Sequence, residues 1–422
     1  MEELNVINAE NNVKIYKKYK MFAYDFLFYY AINVMYWTMT KGFSMAQVMY
    51  ITAFYSLFTV FCQIPANFIS EKIGLKNSVV FGNVLIVFYA VMILFGTTYE
   101  SIIFYQFLCS LGFTLKSLGE GTLLYASLKK LDKRTQFSKI EGKANSKYYY
   151  YDAIASILAG FLFVVNEYIP IILCIINAAV ALKMSLGFKN IVKEKTDEEE
   201  EKIKLKDTIK QFKLILNSNR AKSIFLYAFV FAGIITVFGT LYKAILIELG
   251  IQTQYITMII CIYTVLFGLG AKSVYYIEKQ TKNKTLTIFG TLYVLGILII
   301  GLCGIINELN LTTLSIIIIS LCTMGLIQGA YRVIMKKYVL SFTTTEFRTK
   351  ITSAYYTFEN IGAAITSFII GIILDYTTSS RAAVIFACIS LLIMIWVLMF
   401  MKNKLGLKPE EYDQKEIYNR KI

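Results

Sequence analysis

Twelve runs of mainly apolar residues, most of them about twenty long, constrain this chain more than any other feature. They fall at about 21–40, 46–69, 77–97, 102–125, 148–165, 169–187, 223–247, 254–276, 285–305, 311–335, 351–374 and 381–401. A helix of that length crosses the hydrocarbon core of a bilayer, and a soluble core cannot hide a dozen of them. Composition agrees: 57% of the 422 residues are hydrophobic and 17% are charged, with a mean hydropathy of +0.57. Soluble domains carry about 25% charged residues. The chain therefore reads as an all-α integral membrane protein with twelve transmembrane helices.

Several chemistries are excluded at this level. There is no histidine, so histidine-dependent triads, haem ligation and His–zinc sites are ruled out. Cys62, Cys109, Cys174, Cys261, Cys303, Cys322 and Cys388 stand singly in apolar segments without a CxxC pair, which reads as small core residues rather than a disulfide framework or metal site. No metal and no cofactor are expected. Gly268-Leu-Gly-Ala-Lys272-Ser273 lacks the glycine before the lysine that a phosphate loop needs, and lies inside an apolar run. The net charge of +15 would suggest nucleic acid in a soluble protein; in a membrane protein it belongs in the cytoplasmic loops, so no nucleic-acid partner is expected. The first 20 residues are polar and lysine-bearing, so no cleavable signal peptide is expected.

The longest connection, 188–222, contains Glu198 to Glu201 flanked by lysines and divides the chain six plus six. The expected layout is an N-terminal six-helix bundle at 1–188, a cytoplasmic linker at 189–222, a C-terminal bundle at 223–402 and a tail at 403–422. Lys14, Lys17, Lys18 and Lys20 precede the first run, seven basic residues from Lys129 to Lys147 follow the fourth, and Lys336, Lys337, Arg348 and Lys350 follow the tenth. The positive-inside rule then places both termini in the cytoplasm, as an even number of spans requires.

The halves repeat one another. Ser146-Lys-Tyr-Tyr-Tyr-Tyr-Asp152 matches Ser353-Ala-Tyr-Tyr-Thr-Phe-Glu359 at an offset of 207, Glu71-Lys72 matches Glu278-Lys279 at the same offset, and Glu120-Gly121 matches Gln328-Gly329 at 208. A six-helix unit duplicated in one orientation is the parallel repeat of a large transporter class.

With these motifs the chain resembles the major facilitator superfamily over nearly its whole length. That family's loop between spans 2 and 3 reads roughly G-x-L-A-D-R-x-G-R-K, and the matching stretch is Asn67-Phe-Ile-Ser-Glu71-Lys72-Ile-Gly74-Leu-Lys76. Acid, first base, glycine and last base are kept in kind; Asn67 and Leu75 depart from the pattern. More narrowly, Ser117-Leu-Gly-Glu120-Gly-Thr-Leu-Leu-Tyr125-Ala-Ser-Leu128 is similar to the end of span 4 in a bacterial branch that includes tetracycline exporters. Gln63-Ile-Pro65 stands where that branch has Glu-x-Pro, and Ala159-Gly160 lacks the Gly-Pro pair frequent in drug antiporters. The resemblance implies two six-helix bundles, and a gate in which Glu71, Lys72, Gly74 and Lys76 hold one state.

Charged groups in hydrocarbon face cavities or partners, which selects the candidate residues. In span 1, Asp25, Tyr29, Asn33, Trp37 and Thr40 recur at helical spacing and would share one face, either lining a cavity or forming a polar seam. In span 4, Lys116 and Glu120 are four apart on one face, as a structural ion pair or as a titratable coupling site. In span 7, Thr236, Thr240 and Lys243 form a polar face, with Lys243 either a snorkelling end residue or a contact to substrate in the cavity. Gln328, the repeat mate of Glu120, is counted with the cavity or coupling residues. Asp152 and Glu359 sit near the starts of spans 5 and 11, where an acid suits the helix dipole, and their symmetry suggests gate residues.

The expectation is a monomeric secondary transporter of a bacterial cytoplasmic membrane, coupled to protons and exporting a small amphipathic compound. Proton-coupled uptake of a polar or anionic nutrient is the second reading, and a non-transporting sensor or scaffold the third. No nucleophile–base or metal constellation suggests an enzyme.

Overall fold

A computed structural model describes residues 2–133, 136–190, 219–281, 284–341 and 348–402. Twelve long helices succeed one another: α1 Glu2–Ala23, α2 Met45–Ile73, α3 Leu75–Phe95, α4 Tyr99–Lys130, α5 Phe137–Val165, α6 Ile169–Leu186, α7 Asn219–Glu248, α8 Thr253–Thr281, α9 Thr285–Ile306, α10 Leu311–Ser341, α11 Arg348–Leu374 and α12 Ser379–Lys402. Among the described residues, the eleven helices α2 to α12 are long and apolar enough to cross a membrane. In lipid each backbone polar group needs a partner within the protein, and a helix supplies one for every residue. Of the expected linker, residues 191–218 lie outside the described residues, as does the tail 403–422.

The first span departs from the expectation of a continuous helix over 21–40. The polar N terminus is itself helical, and α1 ends at Ala23. The backbone then runs through turns, with Phe28 at φ +66°, before a three-residue helical turn at Asn33–Met35 and a π-helical turn at Tyr36–Thr40. At the break, groups from other helices take the carbonyls a continuing helix would use. Lys116 Nζ donates to the Ala23 carbonyl, and Asn177 Nδ2 on α6 donates to the Phe22 carbonyl at 2.8 Å. A cation at a helix C-terminus also meets the negative end of its dipole. Irregular backbone is tolerated at this depth because it is buried in protein: Phe26, Leu27, Phe28 and Tyr29 are all buried.

Clustering of contacts gives two compact units. The first holds 1–43, 54–202 and 253–261, and the second holds 44–53, 203–252 and 262–422. The first turns of α2 thus group with the second unit and those of α8 with the first.

In the first unit α3 and α4 pack through glycines. A Cβ on Gly82 would lie 2.6 Å from the Gly112 carbonyl and 2.8 Å from the Lys116 nitrogen, so the backbones meet directly. Close approach through small residues is how helices associate where lipid offers apolar side chains as good a home as protein does. The end of α1 joins the same core: Tyr16 and Tyr19 are buried among Leu124, Ile140 and Phe188. Asn12 fixes it there, its Nδ2 donating to the Lys189 carbonyl at 2.9 Å while its Oδ1 accepts from the Lys189 N–H at 2.8 Å.

In the second unit the N-terminus of α12 is capped by a carboxylate from α7. Glu248 accepts from the N–H groups of Ser379 and Ser380 at 2.7 and 3.1 Å, a charge placed where the helix dipole favours it. Asn310 caps α10, its Oδ1 accepting from Thr313 N–H at 2.8 Å. The phosphate-loop look-alike at 268–273 is plain helix inside α8.

Candidate functional site

Two polar clusters stand inside the membrane-spanning part, one in each unit.

In the first unit, Glu120 on α4 is 3% exposed and pairs with Lys20 on α1, itself 8% exposed. This corrects the expected pairing of Glu120 with Lys116. One turn apart on α4, both side chains meet α1, and α1 brings its own cation against the carboxylate. Lys116, 2% exposed, instead sets its ammonium on the Ala23 carbonyl and 4.1 Å from the centre of the Phe113 ring, a cation–π contact. The second Glu120 oxygen, Oε2, is buried without a hydrogen-bond partner. A buried carboxylate with one oxygen satisfied and one bare is costly.

Asp25 follows directly on the broken helix end. It is half-buried, and its Oδ1 accepts from Phe26 N–H at 3.0 Å. Because 24–32 is not helical, Asp25, Tyr29, Asn33, Trp37 and Thr40 do not form the single helical stripe that their spacing suggested. Tyr29 and Trp37 do meet, the indole Nε1 donating to the Tyr29 hydroxyl at 2.8 Å, but Trp37 is only 1% exposed and stacks on Phe43. Half-buried Asn33 turns its Oδ1 to the Val34 N–H at 2.9 Å.

In the second unit, Gln328 on α10 accepts through Oε1 from the hydroxyls of Tyr263 and Tyr293. Tyr242 stacks on Tyr263 with ring centres 5.8 Å apart. Arg332, one turn beyond Gln328, is exposed and lies 5.3 Å over the Phe267 ring. Glu359 on α11 accepts from Tyr355 and Tyr331, the latter at 3.3 Å. Lys243 on α7 is buried, as is Thr240 one turn before it, which departs from the reading of Lys243 as a snorkelling residue.

The residues expected at a gate separate. Gly74 breaks α2 from α3 at φ +83°, a conformation that glycine adopts without strain. Glu71 and Lys72 are exposed, with the Lys72 ammonium 4.3 Å over Phe68, and Lys76 is half-buried. The repeat mate of Glu71 behaves differently: Glu278 pairs with Lys337 on α10 at 3.1 Å. Asp152 is half-buried on α5, close to Tyr148, which packs 4.5 Å from Tyr24. Asp152 and Glu359 thus share a register, and each has beside it the tyrosine four residues earlier, Tyr148 and Tyr355.

Sequence reading missed Lys20, Asn177, Arg332 and the tyrosines around Gln328. Arg332 carried a usable signal, a cation inside an apolar run four residues after Gln328. Lys20 carried none, because at the edge of a span it counts as a loop charge.

The sequence model of the Major Facilitator Superfamily matches residues 21–339. The chain belongs to this superfamily. No curated protein matches it. Among solved structures, the nucleoside transporter NupG superposes on this facilitator with a TM-score of 0.77 at 11% identity, over 94% of this chain and 99% of that one. A POT family transporter in complex with 5-aminolevulinic acid gives 0.64 at 14% identity, over 95% and 96%. A bacterial homologue of the human lysosomal transporter Spinster, inward-facing and occupied, gives 0.65 at 10% identity, over 94% and 97%. At such identities the likeness carries the fold. The facilitator is a multi-pass membrane transporter, not an enzyme.

Proposed function

We propose that this facilitator is a proton-coupled exporter of a small amphipathic compound in a bacterial cytoplasmic membrane, working as a monomer with both termini cytoplasmic. The observation that carries the reading is the buried Lys20–Glu120 pair beside the broken first span. A proton taken up on the Glu120 carboxylate cancels its charge and releases Lys20. The lysine is then a buried cation without a partner, stable only if α1 shifts toward water. Lys116 binds the end of the same helix, so movement of α1 reaches the broken segment and Asp25.

Substrate is held, in this reading, by the tyrosines around Gln328, whose faces bind flat apolar molecules while their hydroxyls serve polar groups. In the first unit, Asp25 and Asn33, both half-buried beside the broken span, are the residues that line its share of the path. Transport proceeds by alternating access of the two bundles, 1–188 and 223–402, and Glu71, Lys72, Gly74 and Lys76, together with Asp152 and Glu359, act at the cytoplasmic gate.

One observation favours proton-coupled uptake of an anionic nutrient instead. Arg332 is exposed within a membrane-spanning helix, and with Lys243 it offers two cations in the second unit. Export of a fluorescent cationic dye from efflux-deficient cells separates the readings. Energy-dependent export that Glu120→Gln abolishes supports the first. No export, joined to pH-driven uptake of an anionic substrate that Arg332→Gln abolishes, replaces it with the second.

A further inference from the structure

The lysines of the first unit do more than set an orientation. Two adjoining cavities of about 370 and 310 Å³ open at the end of the unit that carries the N terminus, and they share Lys17, Gln136, Ile140 and Lys147. From α1 come Lys14, Lys17 and Lys18. The connection after α4 adds Lys133, and α5 adds Lys139, Lys143 and Lys147 at four-residue spacing, on one helical face. Seven lysines therefore ring the two cavities against one carboxylate, Glu10.

None of the seven ammonium groups makes an ion pair or hydrogen bond among the described residues. Like charges gathered within a Debye length of about 8–10 Å repel one another. Spreading them over the loops would satisfy the positive-inside rule without that cost, so the concentration calls for a counter-anion. The walls between the lysines are apolar, made by Val13, Leu128, Leu131 and Ile140.

Depth narrows the chemistry further. Lys147 is followed at once by Tyr148 to Tyr151, an aromatic run of the kind that marks the head-group level of a bilayer, and the apolar part of α5 begins there. We propose that the paired cavities bind the head group of an anionic phospholipid, its phosphates among the lysines and its glycerol and first methylenes against Val13, Leu131 and Ile140. Basic pockets between helices at this depth suit such head groups. Two linked cavities suit two phosphates, so a diphosphatidyl lipid is held more tightly than a monophosphate lipid. The lipid would fasten α1 to α5 at the end of the unit, and the inference does not depend on what is transported.

The test is native mass spectrometry of the full-length protein in a neutral detergent, titrated with cardiolipin, phosphatidylglycerol, phosphatidylcholine or inorganic pyrophosphate. Cardiolipin should bind ahead of phosphatidylglycerol, with phosphatidylcholine weakest. Each lysine removed should weaken binding about five-fold, so Lys17→Gln/Lys143→Gln/Lys147→Gln should lose about a hundred-fold. Lys183→Gln/Lys272→Gln/Lys284→Gln, which removes equal charge from exposed positions elsewhere, should lose little. The single variant Lys17→Gln gives the same reading with one exposed side chain altered. Equal loss in the two triple variants, or no loss in either, overturns the site. Pyrophosphate that displaces cardiolipin at equal concentration moves the ligand to a free phosphate and overturns the lipid.

Discussion

Lys20 and Glu120 form a pair whose two halves differ in what they leave behind. Lys20→Met strands a carboxylate that is 3% exposed, a change that costs about 3–5 kcal/mol. Adding Glu120→Gln removes the stranded charge, so the double variant should recover most of the lost stability. Apparent melting temperatures in one detergent check this, and a double variant no better than Lys20→Met would show that the pair is not the source of the loss. Gly74 makes a smaller contribution. At φ +83° an alanine is strained by about 1–2 kcal/mol, so Gly74→Ala should lower the melting temperature by a few degrees without touching a contact, as open space surrounds its would-be Cβ.

Helix contacts decide which substitutions an element tolerates. Gly82→Val drives a side chain into the Gly112 carbonyl and the Lys116 amide, backbone atoms that cannot yield, and overpacking costs about 1–3 kcal/mol or more. On the neighbouring helix, Gly121→Ala meets nothing within 4 Å and should fold as the parent does. Monodisperse yield after solubilisation compares the two, and a well-behaved Gly82→Val would mean that α3 and α4 sit further apart than described. The broken first span makes its own prediction. Lys116→Met and Asn177→Leu each release carbonyls at the end of α1, so amide exchange should rise over 22–32 while α9 and α12 keep their protection. Uniform loss of protection would point to global destabilisation instead. The expectation of a continuous helix at 21–40 failed here because hydropathy reports which residues prefer lipid or protein. It says nothing of a lysine and an asparagine on two other helices competing for the same carbonyls.

For the whole molecule, a transport assay separates the proposed coupling residue from the proposed gate. Glu120→Gln should abolish energy-dependent export while leaving binding intact. Glu71→Gln should lower turnover yet keep the energy dependence, because exposed Glu71 takes no part in the buried pair. A Glu71 variant that also lost energy dependence would move coupling to the gate. Eleven spans and the superfamily were legible in the sequence, for a definite reason. The bilayer demands a long apolar helix for every crossing, and each crossing pays that demand within its own segment. The turn at Gly74 was legible too, since one glycine with its flanking acid and bases is a local signal. Partners were not. Glu120 has a lysine one turn away in the chain, yet it pairs with a lysine a hundred positions earlier, brought to it by the packing of α1 on α4. Likewise Tyr29 and Trp37 were read as one helical face, lining a cavity or forming a polar seam, and are buried beside a broken helix, while Gln328 gained two tyrosines from α8 and α9. Sequence by itself determined what crosses the membrane, because that choice is made residue by residue against lipid. Tertiary structure alone decided which charges meet and where the first helix breaks, because those choices are made between segments that hydropathy treats as independent.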